Sequence, residues 1–495
     1  MKNRTPPLLS KSKYMNGLQC PKLLWYQYNR KEEIPPVDPA TQAIFDQGTL
    51  VGLLAQQLYP DGIKLERDPN PQKHAEQSLK VISLRKPVFE AGLIYENTYA
   101  LADILNPIDG NKWDLTEVKS STEVKEEYYY DVAFQKYVYE SAGLKIRKCY
   151  LLHINNQYIR HGVINPKELF SKVDITEQVE GLKSLVPQRV EGMLKIISQK
   201  DVPDIKIGPY CSVPYECVLQ EICWKFLPEK DSVFVLYRGK KLAFSLLDKK
   251  IQSLAEIPLN TKLTDNQMVQ LKVHRTGKPH VDNGALRQFM NGLHYPLYFL
   301  DFETILPAVP LFDLSRPYER IPFQFSLFIL PKEGAKPEHY TFLSKSKDDP
   351  RPELLKRLKD LLGNTGSIVA YNASFEIGTL ENSCEAFTEY QSWFDGIQPR
   401  FADLLVPFRQ FDYYHPVQQG SASIKAVLPA LTGKGYEGLD IVEGGMASLE
   451  YARVTFDDNI SQKERQRVYA SLEKYCNLDT QGMVDLLNAL RILVT

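Results

Sequence analysis

The stretch LYFLDFETIL at residues 297–306 decides the fold that we expect, because an almost wholly apolar run ends there in two acids. A strand alternates its side chains between the two faces of a sheet, so Asp301 and Glu303 project on the same side. Two like charges side by side repel each other unless a positive group lies between them. One interpretation is a charged strand end that solvent wets, and the other is a cation held between the two carboxylates.

The composition excludes several classes of protein. With 495 residues the chain is too long for one core, and we expect roughly two to four domains. The formal net charge of -1 gives no overall attraction to nucleic acid, so any attraction must come from local basic patches such as RGKK at 238–241. No apolar window approaches the roughly 18 residues of a membrane span, and no signal-peptide pattern begins the chain. We therefore expect a cytoplasmic protein without a membrane partner.

Three regions follow from the pattern of apolar and polar residues. Residues 1–227 mix helical and strand signals and hold four cysteines that could act together. Residues 228–290 form an α+β connecting region, with a strand-like SVFVLYRG at 232–239 followed by a helical LLDKKIQSLAEI at 246–257. In residues 291–495 strands alternate with helices, which predicts an α/β fold.

Further acids recur in the third region at positions that could meet the first pair. Glu376 lies in the opening turn of a helix that follows a strand, and Tyr475 and Asp479 lie four residues apart on one helix face. Four converging carboxylates (Asp301, Glu303, Glu376 and Asp479) fold only around cations. A pair of Mg²⁺ or Mn²⁺ ions about 3.5–4 Å apart is the usual solution for phosphodiester hydrolysis. Tyr475 is then placed to orient the attacking water.

These motifs resemble the DnaQ-like 3′ to 5′ exonucleases of the RNase H fold, in the DEDDy branch whose third motif carries tyrosine. The resemblance covers about 200 residues and implies that the four acids are catalytic metal ligands. One departure is Glu376, where the family usually has aspartate, and Asp403 is the reserve candidate. The helical GSASIKAVLPAL at 420–431, with Lys425, resembles the helix that often lies beside the active site of this fold. A plain packing helix is the alternative for that segment.

The first region contains a second set of candidate catalytic residues. Asp103 is followed after a hairpin-like gap by Glu117 and Lys119, which share a strand face. Two acids can hold a divalent ion while the lysine steadies developing charge. Downstream, Asp131, Gln135 and Tyr139 recur every four residues on a predicted helix. Exposed salt-bridging residues and a plain surface helix are the alternatives.

Four cysteines flank this set, with Cys20 upstream and Cys211, Cys217 and Cys223 in CSVPYECVLQEIC downstream. Cysteine thiolates alone can hold a [4Fe-4S] cluster or Zn²⁺. Zinc sites usually come as paired C-x-x-C knuckles, and the sequence has no such pair, which favours iron. Four unconnected buried thiols are the alternative. The remaining Cys149, Cys384 and Cys476 need no function beyond packing.

Together these features resemble the RecB-like and AddB-like PD-(D/E)XK nucleases with an iron-sulfur staple, over residues 8–227. The resemblance implies a restriction-endonuclease-like fold, metal ligation by Asp103 and Glu117, catalytic support from Lys119, and accessory roles for Gln135 and Tyr139. It also implies that Cys20, Cys211, Cys217 and Cys223 ligate the cluster. Two departures are the five-residue gaps between the last three cysteines and the lack of a motif histidine near Val51. The whole arrangement also resembles a bacterial family of unknown function that joins the two modules.

We therefore expect a metal-dependent nuclease with two candidate centres, a structural [4Fe-4S] cluster and Mg²⁺ or Mn²⁺ as cofactors. DNA is the expected substrate, with single-stranded ends favoured, in repair, recombination or defence. A helicase or another repair or defence protein is a candidate partner. The rival interpretation is a nucleic-acid-binding scaffold in which one or both centres are degenerate, and a zinc protein without iron is a third. The missing histidine and Glu376 favour the scaffold.

Overall fold

The apolar run that begins at Leu297 forms a strand buried on both faces, within a computed structural model that describes residues 7–494. The protein is a mixed α/β protein and divides into two compact units. The first unit consists of the chain up to Lys225 together with the later segment Ala308–Tyr318. The second comprises Phe226–Pro307 and the residues from Glu319 onward, so residues 228–290 lie in the same unit as the C-terminal sheet. The predicted division into three functional regions stays a prediction.

The helices and strands of the first unit alternate along the chain. The strands are β1 (Leu9–Ser10), β2 (Ile63–Lys64), β3 (Val88–Tyr95), β4 (Thr98–Ile108), β5 (Lys112–Lys119), β6 (Lys145–Ile154) and β7 (Phe170–Asp174). The helices are α1 (Lys11–Gln19), α2 (Pro21–Asn29), α3 (Pro39–Gln56), α4 (Pro71–Ile82), α5 (Glu126–Ser141), α6 (Pro166–Leu169), α7 (Thr176–Lys183), α8 (Val186–Ile197) and α9 (Gln220–Cys223).

One mixed sheet organises the first unit. Over the described residues its strand order is β2-β3-β4-β5-β6-β7, and the short β1 pairs with the start of β4. Strands β3, β4 and β5 are antiparallel neighbours, while β5 and β6 run parallel. The main core includes Trp113, Phe134 and Tyr139. Helix α5 is buried on several sides, so its polar stripe is not a surface feature.

The elements of the second unit include the longest helix described. The strands are β8 (His280–Val281), β9 (Leu297–Ile305), β10 (Ile321–Leu330), β11 (Glu338–Leu343), β12 (Ile368–Ala370), β13 (Phe401–Asp403) and β14 (Tyr413–Tyr414). The helices are α10 (Lys240–Asp248), α11 (Asp265–Thr276), α12 (Asn283–Asn291), α13 (Arg351–Leu361), α14 (Ala373–Ala386), α15 (Gln391–Ile397), α16 (Val406–Arg409), α17 (Ile424–Thr432), α18 (Gly444–Phe456) and α19 (Gln462–Val494).

A five-stranded sheet with helices on both faces forms the body of this unit in the part of the chain that is described. Its order is β11-β10-β9-β12-β13, antiparallel as far as β9 and parallel from β9 to β13. Tyr298 and Leu300 of β9 join an apolar cluster with helices α13 and α14. Leu297 and Phe299 point to the other face and join a cluster with α19. Burial on both faces explains why this strand is a nearly continuous apolar run.

The strand predicted at 232–239 is wrong. Residues Val233–Val235 form one turn of 3-10 helix, and α10 begins at Lys240. The side chain of Gln270 accepts a hydrogen bond from the Tyr237 amide and donates one to the Val235 carbonyl, each at 2.8 Å. Backbone groups that a neighbouring strand would pair with are thus satisfied by a side chain of α11. The helix predicted at 246–257 is also wrong beyond Asp248, where α10 ends, because Lys250 adopts a φ of 64° two residues later.

Candidate functional site

The acids at the end of β9 lie on the face of the sheet that packs against α19. Asp301 and Glu303 continue the row of Leu297 and Phe299, as the two-residue period requires. One ligand atom each from Asp301, Glu303 and Cys476 lies within 4.8 Å of the other two. Within residues 7–494 this is the only such group of three or more acidic, histidine or cysteine side chains. The solvated strand end is therefore wrong for Glu303, whose side chain is buried.

Burial and mutual repulsion govern the protonation of these acids. Burial raises the pKa of Asp301 well above its usual range, and the charge of Asp479 raises it further. Burial also raises the pKa of Glu303, with added repulsion from Asp301 and Asp479. Such crowding stabilises the neutral forms unless a cation supplies positive charge. The site therefore has the electrostatic character of a cation site.

Asp479 sits between two tyrosine hydroxyl groups. Tyr436 donates a hydrogen bond to Asp479 Oδ1, and Tyr475, one helical turn before Asp479, also hydrogen-bonds to this carboxylate. Burial raises the pKa of Asp479, while the two tyrosines and the charge of Lys425 lower it. Lys425 Nζ lies 5.3 Å from the ring centre of Tyr475 and donates to the Val442 carbonyl. Helix α17 thus brings a positive charge close to the acids.

Glu376 lies in the first turn of α14, as predicted, and its side chain is buried. Burial raises its pKa well above the usual range, and the charge of Asp301 raises it further. Its Oε2 atom has no hydrogen-bond partner among residues 7–494. By contrast Asp403, the reserve candidate, accepts hydrogen bonds from the backbone amides of Asn372 and Leu405 at 2.9 and 3.0 Å. Asp403 therefore fixes a turn in which Asn372 adopts a φ of 77°.

The first unit holds its acids differently. Glu117 Oε1 accepts hydrogen bonds from Lys11 Nζ at 2.8 Å and from Lys119 Nζ at 2.7 Å, and Oε2 accepts one from Gln135 at 2.7 Å. Lys119 also bonds to Asp131 at 2.7 Å. Burial alone lowers the pKa of Lys119, but the charges of Asp131 and Glu117 raise it well above its usual range. The carboxylates here are compensated by the protein's own cations.

Asp103 lies on β4 beside this cluster. Its Oδ2 accepts a hydrogen bond from the Val118 amide at 2.7 Å. Burial raises the pKa of Asp103, the charge of Lys11 lowers it, and the charge of Glu90 raises it again. Glu90 itself has a φ of 57°, in the left-handed region that a glutamate seldom adopts. Asp103, Glu117 and Glu90 therefore share one cleft.

The predicted accessory residues of α5 separate into two roles. Gln135 bridges Glu117 and Asp131, and its Oε1 atom is buried without a hydrogen-bond partner. The hydroxyl of Tyr139 instead donates to the Ala91 carbonyl and accepts from the Ala102 amide at 2.9 Å. Tyr139 thus ties β3 to β4 through their backbones, and only Gln135 contacts the acids.

A cleft of about 680 Å³ opens over Asp103, Glu117 and Lys119. One wall is the face of α3 that carries the exposed side chains of Ile44, Phe45 and Leu53. Lys64 and Arg67 line the same cleft. A Cβ atom built at Gly48 or Gly52 would meet no atom within 4 Å, so this helix face is open. Val51, where the sequence lacks the expected histidine, is fully buried in the core under the helix.

The four predicted cluster ligands line one small cavity together with Lys22 and Tyr210. Burial raises the pKa of the Cys217 thiol to about 11, and the other three cysteines add to the rise. Cys20 occupies the N-cap position of α2, and burial raises the pKa of its thiol while the nearby amides of Leu23 and Lys22 lower it. The described chain thus gathers these four sulfurs from two distant segments. All seven cysteines, which lie within residues 7–494, are free thiols.

Comparison with known proteins adds one match. The family profile described as a domain of unknown function (DUF2779) matches residues 298–423. No curated protein matches the chain. The matched segment contains Asp301, Glu303 and Glu376 but stops before Asp479, and of the first unit it includes only Ala308–Tyr318.

No helix of the described chain is both long enough and apolar enough to cross a membrane.

Three residues of these clusters were missed as site residues by the sequence analysis. Lys11 approaches Glu117 across 106 positions of sequence, a separation for which no periodicity gives a signal. Tyr436 lies in an irregular segment, where side-chain direction has no period to follow. Cys476 was assigned to packing, although its place three residues before Asp479 on a helix put it near the same face.

Proposed function

We propose that the chain is a metal-dependent nuclease that hydrolyses phosphodiester bonds of DNA, and that the acid cluster of the second unit is its hydrolytic centre. The observation that carries the proposal is a cluster of four acids in which Asp301 is half-buried and the other three are buried. Ligand atoms of Asp301 and Glu303 lie within 4.8 Å of each other, and three of the four acids have pKa values raised by the charge of another member. The sheet order β11-β10-β9-β12-β13, with β9 central and a long helix against its acidic end, supports the DnaQ-like RNase H fold.

In this proposal Asp301, Glu303, Glu376 and Asp479 hold divalent cations, Mg²⁺ or Mn²⁺. When bound, such cations lower the pKa of an attacking water and stabilise the leaving oxygen. The unpartnered Oε2 of Glu376 supports this role, because a buried carboxylate oxygen without a donor is costly unless something positive occupies its lone pairs. Tyr475, already hydrogen-bonded to Asp479, is positioned to orient the water, and Lys425 supplies positive charge for a phosphate.

The first unit is proposed as a RecB-like PD-(D/E)XK nuclease module, since Asp103, Glu117 and Lys119 lie together on adjacent strands. Its cleft favours a single strand of DNA. Exposed apolar and aromatic side chains on α3 offer surfaces for unpaired bases, and Lys64 and Arg67 offer charges for phosphates. Single-stranded ends handled in DNA repair, recombination or defence are therefore the proposed substrates.

One observation favours the rival function for this module, a nucleic-acid-binding scaffold that does not cut. Both oxygens of Glu117 are engaged by protein donors, two of them lysine ammonium groups. A cation would have to compete with Lys11 and Lys119 for that carboxylate. If only this centre is degenerate, the acid cluster of the second unit is still the proposed hydrolytic centre.

The test is degradation of end-labelled single-stranded DNA with Mn²⁺ by the full chain and by Asp301→Asn, Glu117→Gln and Asp458→Asn. Asp458 is a surface residue whose side chain is 85% exposed, so it serves as the matched control. We expect Asp301→Asn to abolish degradation and Asp458→Asn to retain it. If only Glu117→Gln loses DNA degradation, the hydrolytic centre would instead be assigned to the first unit. Wild-type protein that binds the strand without cutting it would overturn the hydrolase and support the scaffold.

The cysteines are proposed to hold a [4Fe-4S] cluster. Four thiolates around one zinc ion at 2.3 Å would lie about 3.8 Å from one another. No three of the described cysteine sulfurs come within 4.8 Å of one another, a spread that suits a larger group. Anaerobically purified protein should be brown and contain iron and acid-labile sulfide. Cys217→Ser should lose the iron while Cys149→Ala keeps it, and a colourless, zinc-loaded protein would contradict the cluster.

A further inference from the structure

A thiol lies among the acids of the second unit. Cys476 Sγ is 3.5 Å from Asp301 Oδ2, and it shares a 4.8 Å neighbourhood with ligand atoms of Asp301 and Glu303. The side chain is fully buried. The sulfur therefore faces carboxylates rather than the apolar surroundings that a buried free cysteine usually has.

Cys384 shows what an ordinary buried thiol of the same unit looks like. It is equally inaccessible, but it packs in an apolar cluster with Leu354, Leu380 and Phe394. The position of Cys476 follows from α19, on which Cys476 and Asp479 are three residues apart and so point the same way.

A second observation at the same place points to a ligand. In the described part of the chain the buried Glu376 Oε2 has no hydrogen-bond partner, and the charge of Asp301 raises the pKa of the Glu376 carboxyl group. A carboxylate oxygen that could ligate a metal thus accompanies the Asp301 and Glu303 carboxylates and the Cys476 sulfur. The cluster therefore offers a cation both hard oxygen ligands and a soft sulfur ligand.

Hard and soft donors select different ions. Mg²⁺ prefers six oxygen ligands and avoids sulfur, whereas thiolates favour zinc-like ions. In a tetrahedral zinc site, Zn–O bonds of about 2.0 Å and Zn–S bonds of about 2.3 Å place oxygen and sulfur about 3.5 Å apart. The observed separation of Asp301 Oδ2 and Cys476 Sγ is 3.5 Å. With the thiol protonated, this separation is a hydrogen bond that the Cys476 thiol donates to Asp301 Oδ2, and the same spacing accommodates one small thiophilic ion in place of the thiol proton.

We infer that the acid cluster of the second unit takes a thiophilic divalent cation, of the zinc, cobalt and cadmium class, through Asp301, Glu303 and Cys476 in preference to Mg²⁺. The inference rests on the proposed function in assigning these acids to cation binding, and it revises the ion: at the position between Asp301, Glu303 and Cys476 a thiophilic cation takes the place of the Mg²⁺ or Mn²⁺ of that proposal. Cys476 gives up its thiol proton to solvent as the sulfur-metal bond forms. Two carboxylates and one thiolate leave a position for water, as in catalytic zinc sites.

Binding of Cd²⁺ to the full-length protein, purified with its cysteine cluster loaded, tests the inference without any cleavage assay. Equilibrium dialysis counts the ions bound per chain, and a difference ultraviolet spectrum detects the sulfur-to-cadmium charge-transfer band. We expect Cys476→Ser to weaken one Cd²⁺ equivalent by at least roughly 10-fold and to lose its band. The matched control Cys384→Ser should behave like the wild type, and Mg²⁺ at equal concentration should not displace the ion.

Two further variants keep the test independent of folding. Circular dichroism confirms that Cys476→Ser and Cys476→Ala are folded, and Asp301→Asn should weaken the same Cd²⁺ equivalent. Unchanged Cd²⁺ binding in folded Cys476→Ser, or displacement of Cd²⁺ by equimolar Mg²⁺, would overturn the inference. If Cys476→Ser binds Cd²⁺ normally while Asp301→Asn abolishes DNA degradation, the inference fails and the proposed function stands. If the wild-type protein binds Cd²⁺ as expected but cuts no DNA, the inferred cation site stands and the proposed nuclease function fails.

Discussion

The two acid clusters of this protein solve the same electrostatic problem in opposite ways. In the first unit Glu117 and Asp131 are neutralised by two lysines that donate hydrogen bonds or form ion pairs at 2.7–3.6 Å. In the second unit Asp301 and Glu303 repel one another and Asp479, and the nearby Lys425 only offsets part of that repulsion. A cluster that carries its own cations is complete without metal, whereas a cluster that lacks them gains stability from an ion. The difference teaches where a metal-dependent activity should be sought.

The largest effect should come from Glu376→Gln. Replacing a carboxylate with an amide keeps the shape and removes the charge that a cation needs. We expect Mn²⁺-dependent degradation of single-stranded DNA to fall on the order of 100-fold or more, because even outer partners of metal ligands are worth 10–100-fold. Glu381→Gln, at an exposed position of the same helix, is the matched control. If the two variants degrade single-stranded DNA at the same rate, Glu376 is not a metal ligand of the hydrolytic centre.

Stability should respond with opposite signs in the two clusters. In the presence of a chelator, Glu117→Gln should destabilise the first unit by roughly 2–3 kcal/mol, because it leaves Lys11 and Lys119 short of a buried partner. Glu303→Gln should stabilise the second unit by on the order of 1 kcal/mol at neutral pH, because burial and repulsion oppose the ionisation of Glu303 in the folded state but not in the unfolded state.

Hydrogen exchange measured by mass spectrometry reports the two effects separately on β5 and β9. The two substitutions are chemically identical and both positions are buried, so each serves as the control for the other. If Glu117→Gln destabilises the first unit and Glu303→Gln also destabilises the second, the two clusters do not differ in how they compensate their acids.

The pH dependence of stability should sharpen the same contrast. An acid whose folded pKa is raised adds stability below its unfolded pKa of about 4, and that contribution is lost as the pH rises through the folded pKa. The chelated second unit should therefore lose stability above about pH 4, by at most about 1.4 kcal/mol per pH unit for each such acid. Added Mn²⁺ or Asp301→Asn should flatten the profile. A chelated profile as flat as that of Asp301→Asn would contradict the repulsion.

The smallest effect should come from the cleft wall of the first unit. Phe45→Ala should leave stability within about 0.5 kcal/mol, because the ring is half-exposed. It should weaken binding of single-stranded DNA by about 1–2 kcal/mol if a base stacks on the ring. Fluorescence anisotropy with a labelled oligonucleotide measures this loss. Val163→Ala, at a side chain that is 90% exposed in the same unit, should bind normally.

Local periodicity was enough to predict part of the second site. The two-residue period of β9 put Asp301 beside Glu303, and the four-residue spacing on α19 put Tyr475 beside Asp479. Periodicity carried no information on Lys11, because a contact between α1 and β5 is fixed by the packing of the whole unit. The failed strand at 232–239 has a similar cause, since Gln270 of a later helix takes its backbone hydrogen bonds.

Helix α1 joins two features that the sequence keeps apart. Its first residue, Lys11, reaches Glu117, and Cys20 follows directly after its last residue. Nine helical residues form a stiff rod about 13 Å long. One end of this helix adjoins Cys20 of the cysteine cavity, and the other carries the lysine that pairs with Glu117. A displacement of Cys20 would therefore reach the lysine that pairs with Glu117 through one short, rigid element.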